Sequence, residues 1–292
     1  MKNYILIFGS LILMAFSISC KENTIDLGKN ISFKIEENIS YGKDSEQKID
    51  IYLPKRQTHA KNVFIIIHGG GWRGGKRSQL TSFTFDLMKR FPENIFVNVD
   101  YRLASSTRFA LPSQTDDIKN VMIYLEKNLK INPKYILLGN SAGGNLSMLF
   151  AYKFDEDKKV KAVINIVGPA DLNDPRFKNY DDYSFVEKHL IDPKIVDNKT
   201  SLMDFGSPVY WINKSSAPTL SYYGTKDNVV PLSQKKILDS ILNKNKVHNE
   251  SYEFNGNHLE WDKEPNSTFL INKIELFLKD LEKNNPSEIP RG

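Results

Sequence analysis

The stretch Gly139-Asn140-Ser141-Ala142-Gly143 constrains this chain more than any other. The apolar run Tyr135-Ile136-Leu137-Leu138 leads into it, and a helix-forming run, residues 145–152, leaves it. Strand, G-x-S-x-G, helix is a turn so tight that its serine sits at a strained backbone position, with the hydroxyl exposed above a sheet. Bulk beside it would clash, and the flanking positions are small: Gly139, Ala142, Gly143 and Gly144.

A second motif narrows the architecture further. Val63-Phe64-Ile65-Ile66-Ile67 shows no apolar–polar alternation, the pattern of a parallel strand buried on both faces. It runs straight into His68-Gly69-Gly70-Gly71-Trp72. A glycine-rich turn after such a strand lets backbone N–H groups approach a bound molecule closely and point inward.

A serine hydroxyl is a weak nucleophile unless a base takes its proton, and that base needs an orienting carboxylate. In strand–elbow–helix proteins these follow in the order Ser, acid, His. Downstream of Ser141 stand His189, His248 and His258. His248 opens an alternating strand and reads as a surface residue, and His189 lies in a polar, aromatic-rich insertion. His258, in Asn255-Gly256-Asn257-His258 between the last strand and the terminal helix, is the expected base. Asp227 follows the strand ending Tyr222-Tyr223-Gly224, at the carboxyl end where side chains of open α/β sheets gather, and is the favoured acid. Asp171, after the preceding strand, is its rival.

Together these segments resemble the α/β-hydrolase superfamily, and within it the esterases related to hormone-sensitive lipase. The matching residues are His68–Trp72, Asp100-Tyr101-Arg102-Leu103-Ala104, Gly139–Leu146, Asp227 and His258. The Trp after the glycines and the short insertion are closer to the bacterial acetyl and feruloyl esterases and to the kynurenine-formamidase-like branch. Asn140 departs from the group, which often has an acidic residue or His before the nucleophile. The resemblance implies carboxylic-ester hydrolysis without metal or cofactor, with the N–H groups of Gly70, Gly71 and Ala142 as oxyanion donors. A general short-chain carboxylesterase, a formamidase-like amidase, or a non-catalytic binding protein on the same fold are the alternatives. Because His258 must be neutral to act as base, activity is expected to fall in acid.

The rest of the chain fits one α/β domain, residues 31–284. Eight strands are expected, at 31–40, 48–53, 63–67, 95–99, 135–138, 160–167, 219–223 and 250–254. The first two read as an antiparallel edge, and the alternation of strand and helix that follows predicts a mostly parallel, doubly wound sheet flanked by helices. Ser113 reads as an N-cap, with Asp116 and Asp117 as acids favoured at a helix start. Residues 171–217 lose apolar periodicity and read as a lid or binding insertion. Its Phe177, Tyr180, Tyr183, Phe185, Tyr210 and Trp211 are candidate pocket rings, while Trp72 and Trp261 flank the glycine turn and His258 as candidate substrate contacts.

Within the 292 residues, Lys and Arg are interspersed with acids, and the formal net charge of +5 forms no basic stripe, so no nucleic-acid partner is expected. No pair of His or Cys stands at metal-ligand spacing. Met1-Lys2-Asn3 and the apolar run 4–18, interrupted at Gly9-Ser10, read as an export signal over residues 1–19. The sole cysteine follows in Ser17-Ile18-Ser19-Cys20, which resembles a bacterial lipoprotein processing site. On that reading Cys20 is lipidated, residues 20–30 are a tether, residues 285–292 a flexible tail, and the protein sits in the outer membrane; otherwise it is secreted. The expected partner is a small-molecule or polysaccharide ester, with membrane contact only through the lipid.

Overall fold

The computed structural model describes residues 23–56 and 62–284. The expected signal segment, Cys20 and the tail 285–292 lie outside them. Among the described residues nine strands form one sheet: β1 (Thr24–Asp26), β2 (Ser32–Ser40), β3 (Lys48–Pro54), β4 (Val63–Ile67), β5 (Ile95–Asp100), β6 (Tyr135–Asn140), β7 (Val160–Ile166), β8 (Thr219–Gly224) and β9 (Asn249–Phe254). Their order is β1-β2-β3-β5-β4-β6-β7-β8-β9. Every pairing from β5 through β9 is parallel, and β1, β2 and β3 form the antiparallel edge.

The sheet has one strand more than the eight expected, because β1 lies inside the segment read as a tether. Gly28, Lys29 and Asn30 all take positive φ. They fold the chain back so that Ile25 pairs with Phe33. Three residues are too few to show a period, which is why the strand is silent in the sequence.

The helices are α1 (Thr81–Arg90), α2 (Ser113–Leu129), α3 (Ala142–Leu149), α4 (Tyr183–His189), α5 (Leu202–Gly206), α6 (Pro208–Trp211), α7 (Ser233–Lys244) and α8 (Asn266–Asn284). Side chains alternate across a strand, so β4 sends Val63, Ile65 and Ile67 into one core and Phe64 and Ile66 into another. α2, α3 and α7 cover the first core, and α1 and α8 the second. Both faces are dry, and this is why β4 and β6 read as unbroken apolar runs. This is the α/β-hydrolase fold.

Two local expectations are corrected. Ser113 is the first residue of α2 rather than its cap, and Pro112 precedes it without a side-chain cap bond. The first-turn N–H groups find backbone carbonyls instead: Gln114 donates to Ala110 at 2.8 Å and Asp116 to Pro112 at 2.9 Å. Asp117 is no solvated helix-start acid; it is fully buried. It accepts from Gln47 Nε2 at 2.7 Å and pairs with the Arg102 guanidinium at 2.7 Å, tying α2 to the turn before β3 and to the segment after β5.

Candidate active site

Ser141 stands between β6 and α3 with φ 54° and ψ −123°. A non-glycine residue there is strained, and such strain persists only where the surroundings over-determine it. They do so here. The Ser141 N–H donates to Ile166 O on β7 at 2.8 Å, and its carbonyl accepts from Asn145 at 3.1 Å. A Cβ on Gly143 would overlap the carbonyls of Ile67 and His68, so α3 can start this close to β4 only with glycine at that position.

Asp227 and His258 come from the next loops along the sheet, after β8 and β9. The two loops are laced together by Thr225 N–H to Phe254 O at 2.9 Å and Lys226 N–H to Gly256 O at 3.0 Å. His258 Nδ1 lies 2.7 Å from Asp227 Oδ2, and Nε2 lies 2.9 Å from Ser141 Oγ. The carboxylate accepts from Nδ1–H, which leaves the Nε2 lone pair to accept from the serine hydroxyl. The Asp227 side chain is fully buried and that of His258 is 13% exposed, so the acid is dry and the base can meet a substrate. Asp227 Oδ1 is occupied separately by the N–H groups of Val229 and Val230, each at 2.8 Å.

The other candidates lie elsewhere. His189 ends α4, and its carbonyl accepts from Ala110 at 3.1 Å. His248 is stacked on Phe277 of α8 and lies 3.5 Å from Asp280. Asp171 accepts from the Asn173 N–H at 2.9 Å, and burial raises its pKa above the usual carboxylate value.

The glycine turn runs beside the serine. A Cβ on Gly69 would stand 3.0 Å from the Ser141 Cβ. Gly70, Gly71 and Trp72 take φ of 120°, 58° and 60°, backbone that favours glycine at the first two positions. Among the described residues the N–H groups of Gly70, Gly71 and Ala142 donate to no protein acceptor. Asn140, the departure noted in the sequence, accepts from the Gly69 N–H through Oδ1 at 2.9 Å and so joins elbow to turn. His68 lies beneath, stacked on Tyr101 at 4.3 Å, with Nδ1 2.6 Å from the Gly69 carbonyl. Burial lowers its pKa, opposed by that carbonyl and by Asp100.

Both tryptophans expected as substrate contacts are buried. Trp72 is 2% exposed because its positive φ turns the indole under α3, where Nε1 donates to Asn145 Oδ1 at 3.3 Å. Trp261 is 3% exposed and packs edge-on against Phe83 in the core beneath α1 and α8. Asn145 also donates to Pro169 O and Gly206 O, holding the insertion's root and α5 to the elbow helix. Nothing in its sequence neighbourhood marks it, beyond its place in the matched elbow motif.

The insertion is more ordered than its sequence suggests. Leu111 and Ile191 form a β-bridge, and Phe177, Tyr183 and Val186 are buried. Of its six candidate rings Phe177 and Tyr183 are buried, Tyr180, Phe185 and Trp211 are partly covered, and Tyr210 is exposed. Among the described residues no group of three or more His, Cys, Asp or Glu is arranged to hold a metal ion, and no helix is long and apolar enough to cross a membrane.

The family model BD-FAE matches residues 49–242, well over half of the chain. The chain belongs to the BD-FAE family. It is 25% identical over 219 residues to esterase LipC of Mycobacterium tuberculosis, a match covering 68% of this chain and 52% of that protein. It is 33% identical over 129 residues to human arylacetamide deacetylase-like 2, covering 40% of this chain and 31% of that one. The chain thus spans about half or less of the curated relatives it matches. Among solved structures, a truncated carbohydrate esterase from gut microbiota superposes with TM-score 0.68 at 19% identity, over 87% of this chain and 98% of that one. Esterase B of Lactobacillus rhamnosis superposes with TM-score 0.70 at 19% identity, over 88% of each chain. At such identity these structures share the fold with this chain.

Proposed function

We propose that this protein is a serine esterase whose substrates are acylated carbohydrates bearing acetyl or feruloyl groups. The observation that carries the reaction is the relay of Ser141, His258 and Asp227 at 2.9 and 2.7 Å, beside a turn in which the Gly70 and Gly71 N–H groups have no acceptor among the described residues. His258 Nε2 takes the hydroxyl proton as Ser141 Oγ adds to the ester carbonyl. Asp227 holds the tautomer and stabilises the imidazolium. The carbonyl oxygen gains negative charge, which the N–H groups of Gly70, Gly71 and Ala142 receive, each such donor lowering the barrier by ~3 kcal/mol. The C–O bond to the alcohol breaks as His258 returns its proton to the leaving oxygen. Water then adds to the acyl-enzyme by the same route and releases the acid.

The carbohydrate part of the reading is supported by the fold shared with a carbohydrate esterase and by the export-type N-terminus. The match to an arylacetamide deacetylase-like protein supports amide cleavage as a second reading. Hydrolysis of acetyl, butyryl, octanoyl and feruloyl esters, acetylated xylan and an aryl acetamide, by the protein and by Ser141→Ala, tests both. Release of acetate or ferulate from polysaccharide, lost in the variant along with labelling by a serine-directed phosphonate, is the expected result. Turnover equal in the two proteins would end the reading. Lipidation at Cys20 is proposed with it, and Cys20→Ser should then leave the membrane fraction.

A further inference from the structure

One cluster beside the glycine turn takes no part in the relay. Arg73 follows the turn directly, and its guanidinium forms an ion pair with Asp182 Oδ2 at 2.6 Å while lying 4.7 Å over the Phe185 ring. Tyr180 Oη donates to the same carboxylate at 3.3 Å. Tyr180 reaches the turn itself: a Cβ on Gly71 would meet its hydroxyl at 3.6 Å. Gly71 lies two residues from Gly69, whose Cβ position is 3.0 Å from that of Ser141. Two trans peptide links span at most ~7.6 Å between Cα atoms, so the cluster borders the place where an acyl group would be attacked.

The chemistry of this cluster is not that of a structural clasp. Arg73 and Asp182 are 41% and 45% exposed, and an ion pair so wetted adds little to stability. Arginine carries five donors, and among the described residues the one carboxylate paired with its guanidinium is that of Asp182. Asp182 is an acceptor with lone pairs to spare, Tyr180 Oη both donates and accepts, and Phe185 gives an apolar face. Interleaved donors and acceptors at the edge of a ring match the vicinal hydroxyls and C–H face of a sugar. Asp181 and Asp182 together oppose a carboxylate there, and burial with the Asp182 charge raises the Tyr180 pKa, so the hydroxyl keeps its proton.

We propose that Arg73, Tyr180, Asp182 and Phe185 form the subsite for the sugar that carries the ester, reading the free hydroxyls beside the acylated one and favouring neutral sugars over uronates. This rests on the esterase reading and names the alcohol side of its substrate. The test compares kcat/KM for an acetylated methyl xyloside with that for 4-nitrophenyl acetate, in the parent protein and in Tyr180→Phe, Asp182→Asn and Arg73→Gln. Losing one hydrogen bond to a neutral hydroxyl lowers binding several-fold, and losing one to a charged group by roughly ten- to a hundredfold. The ratio of the two specificity constants should fall by about those factors, through KM for the sugar ester. An equal fall on both substrates would assign the cluster to holding the glycine turn and overturn the proposal. A parent protein that cleaves the nitrophenyl ester but not the sugar ester would also overturn it, leaving the esterase reading in place. Cleavage of neither would remove the reading and the proposal together. Melting temperatures of the variants separate a folding defect from a lost contact, and Phe185→Leu, which keeps an apolar side chain but removes the ring, should lower the same ratio.

Discussion

Asp227 offers a test in which structure and catalysis separate within one carboxylate. Its Oδ1 accepts from two backbone N–H groups of its own loop, and its Oδ2 accepts from His258. In Asp227→Asn the amide has one acceptor and one donor end. The two N–H groups at 2.8 Å fix its orientation, because an NH2 pointing at them would face donors with a donor. The amide NH2 must then face His258 Nδ1, which forces the proton onto Nε2 and removes the lone pair that serves Ser141. This tautomer error lowers kcat by ~10⁴, equivalent to about 5.5 kcal/mol in the barrier. Stability should change little. Asp227→Ala loses the same activity and also leaves both N–H groups without their acceptor. At about 1.5–3 kcal/mol for each bond to a charged group, that costs about 3–6 kcal/mol of folding free energy. The assay pairs 4-nitrophenyl acetate turnover with urea unfolding of the parent and both variants. An Asn variant keeping more than about a tenth of the parent kcat, or an Ala variant as stable as the Asn one, would refute the division of labour between the two oxygens.

Other substitutions probe the surroundings. Trp261→Ala should destabilise by about 3–5 kcal/mol, the range for an aromatic removed from a core, while the turnover of the folded fraction stays near the parent value; a selective rise in KM would restore it as a substrate contact. His68 gives a pH signature. Its pKa is lowered in the fold, by burial first, so below the ordinary value of 6.5 the unfolded chain takes up a proton that the folded chain resists. Stability therefore falls as pH drops through and below 6.5 and is unaffected by this group above it. Urea midpoints from about pH 7.5 to about pH 5 should show a shallower decline in His68→Asn than in the parent, and equal slopes would contradict the assignment.

Much of the site was legible because its parts obey chain-order rules. Ser141 follows the apolar run of β6, Asp227 follows β8 and His258 follows the alternating strand β9, and a parallel sheet brings the carboxyl ends of those strands together without further information. What escaped is whatever depends on which way a side chain turns once the backbone has bent. Trp72 neighbours the glycine turn in sequence, but a positive φ sends its indole into the core. Phe177 and Tyr183 stand in a segment without periodicity, so nothing local distinguishes a ring that lines a pocket from one that anchors a loop. Asp117 reads as an ordinary first-turn acid until Arg102, fifteen residues earlier, is seen to reach it. Pairings of that kind are properties of the assembled fold, not of a window of sequence.

The polar residues around the elbow have a common purpose. Three consecutive glycines make the turn able to present its N–H groups, and also make it the costliest stretch of chain to hold still. On the proposed reading, oxyanion stabilisation depends on donors fixed before charge develops, so the turn must be tied from outside. Asn140 takes the Gly69 N–H, Tyr101 donates to the His68 carbonyl at 2.9 Å, and Gln114 donates to the Trp72 carbonyl at 2.7 Å. Each tie engages a residue flanking Gly70 and Gly71 and leaves those two N–H groups free. This also accounts for Asn140. What position 140 must supply is an acceptor for Gly69, and a neutral amide supplies one, as a carboxylate or an imidazole nitrogen can. Asn140 thus holds the turn through a neutral amide and places no charge beside the nucleophile.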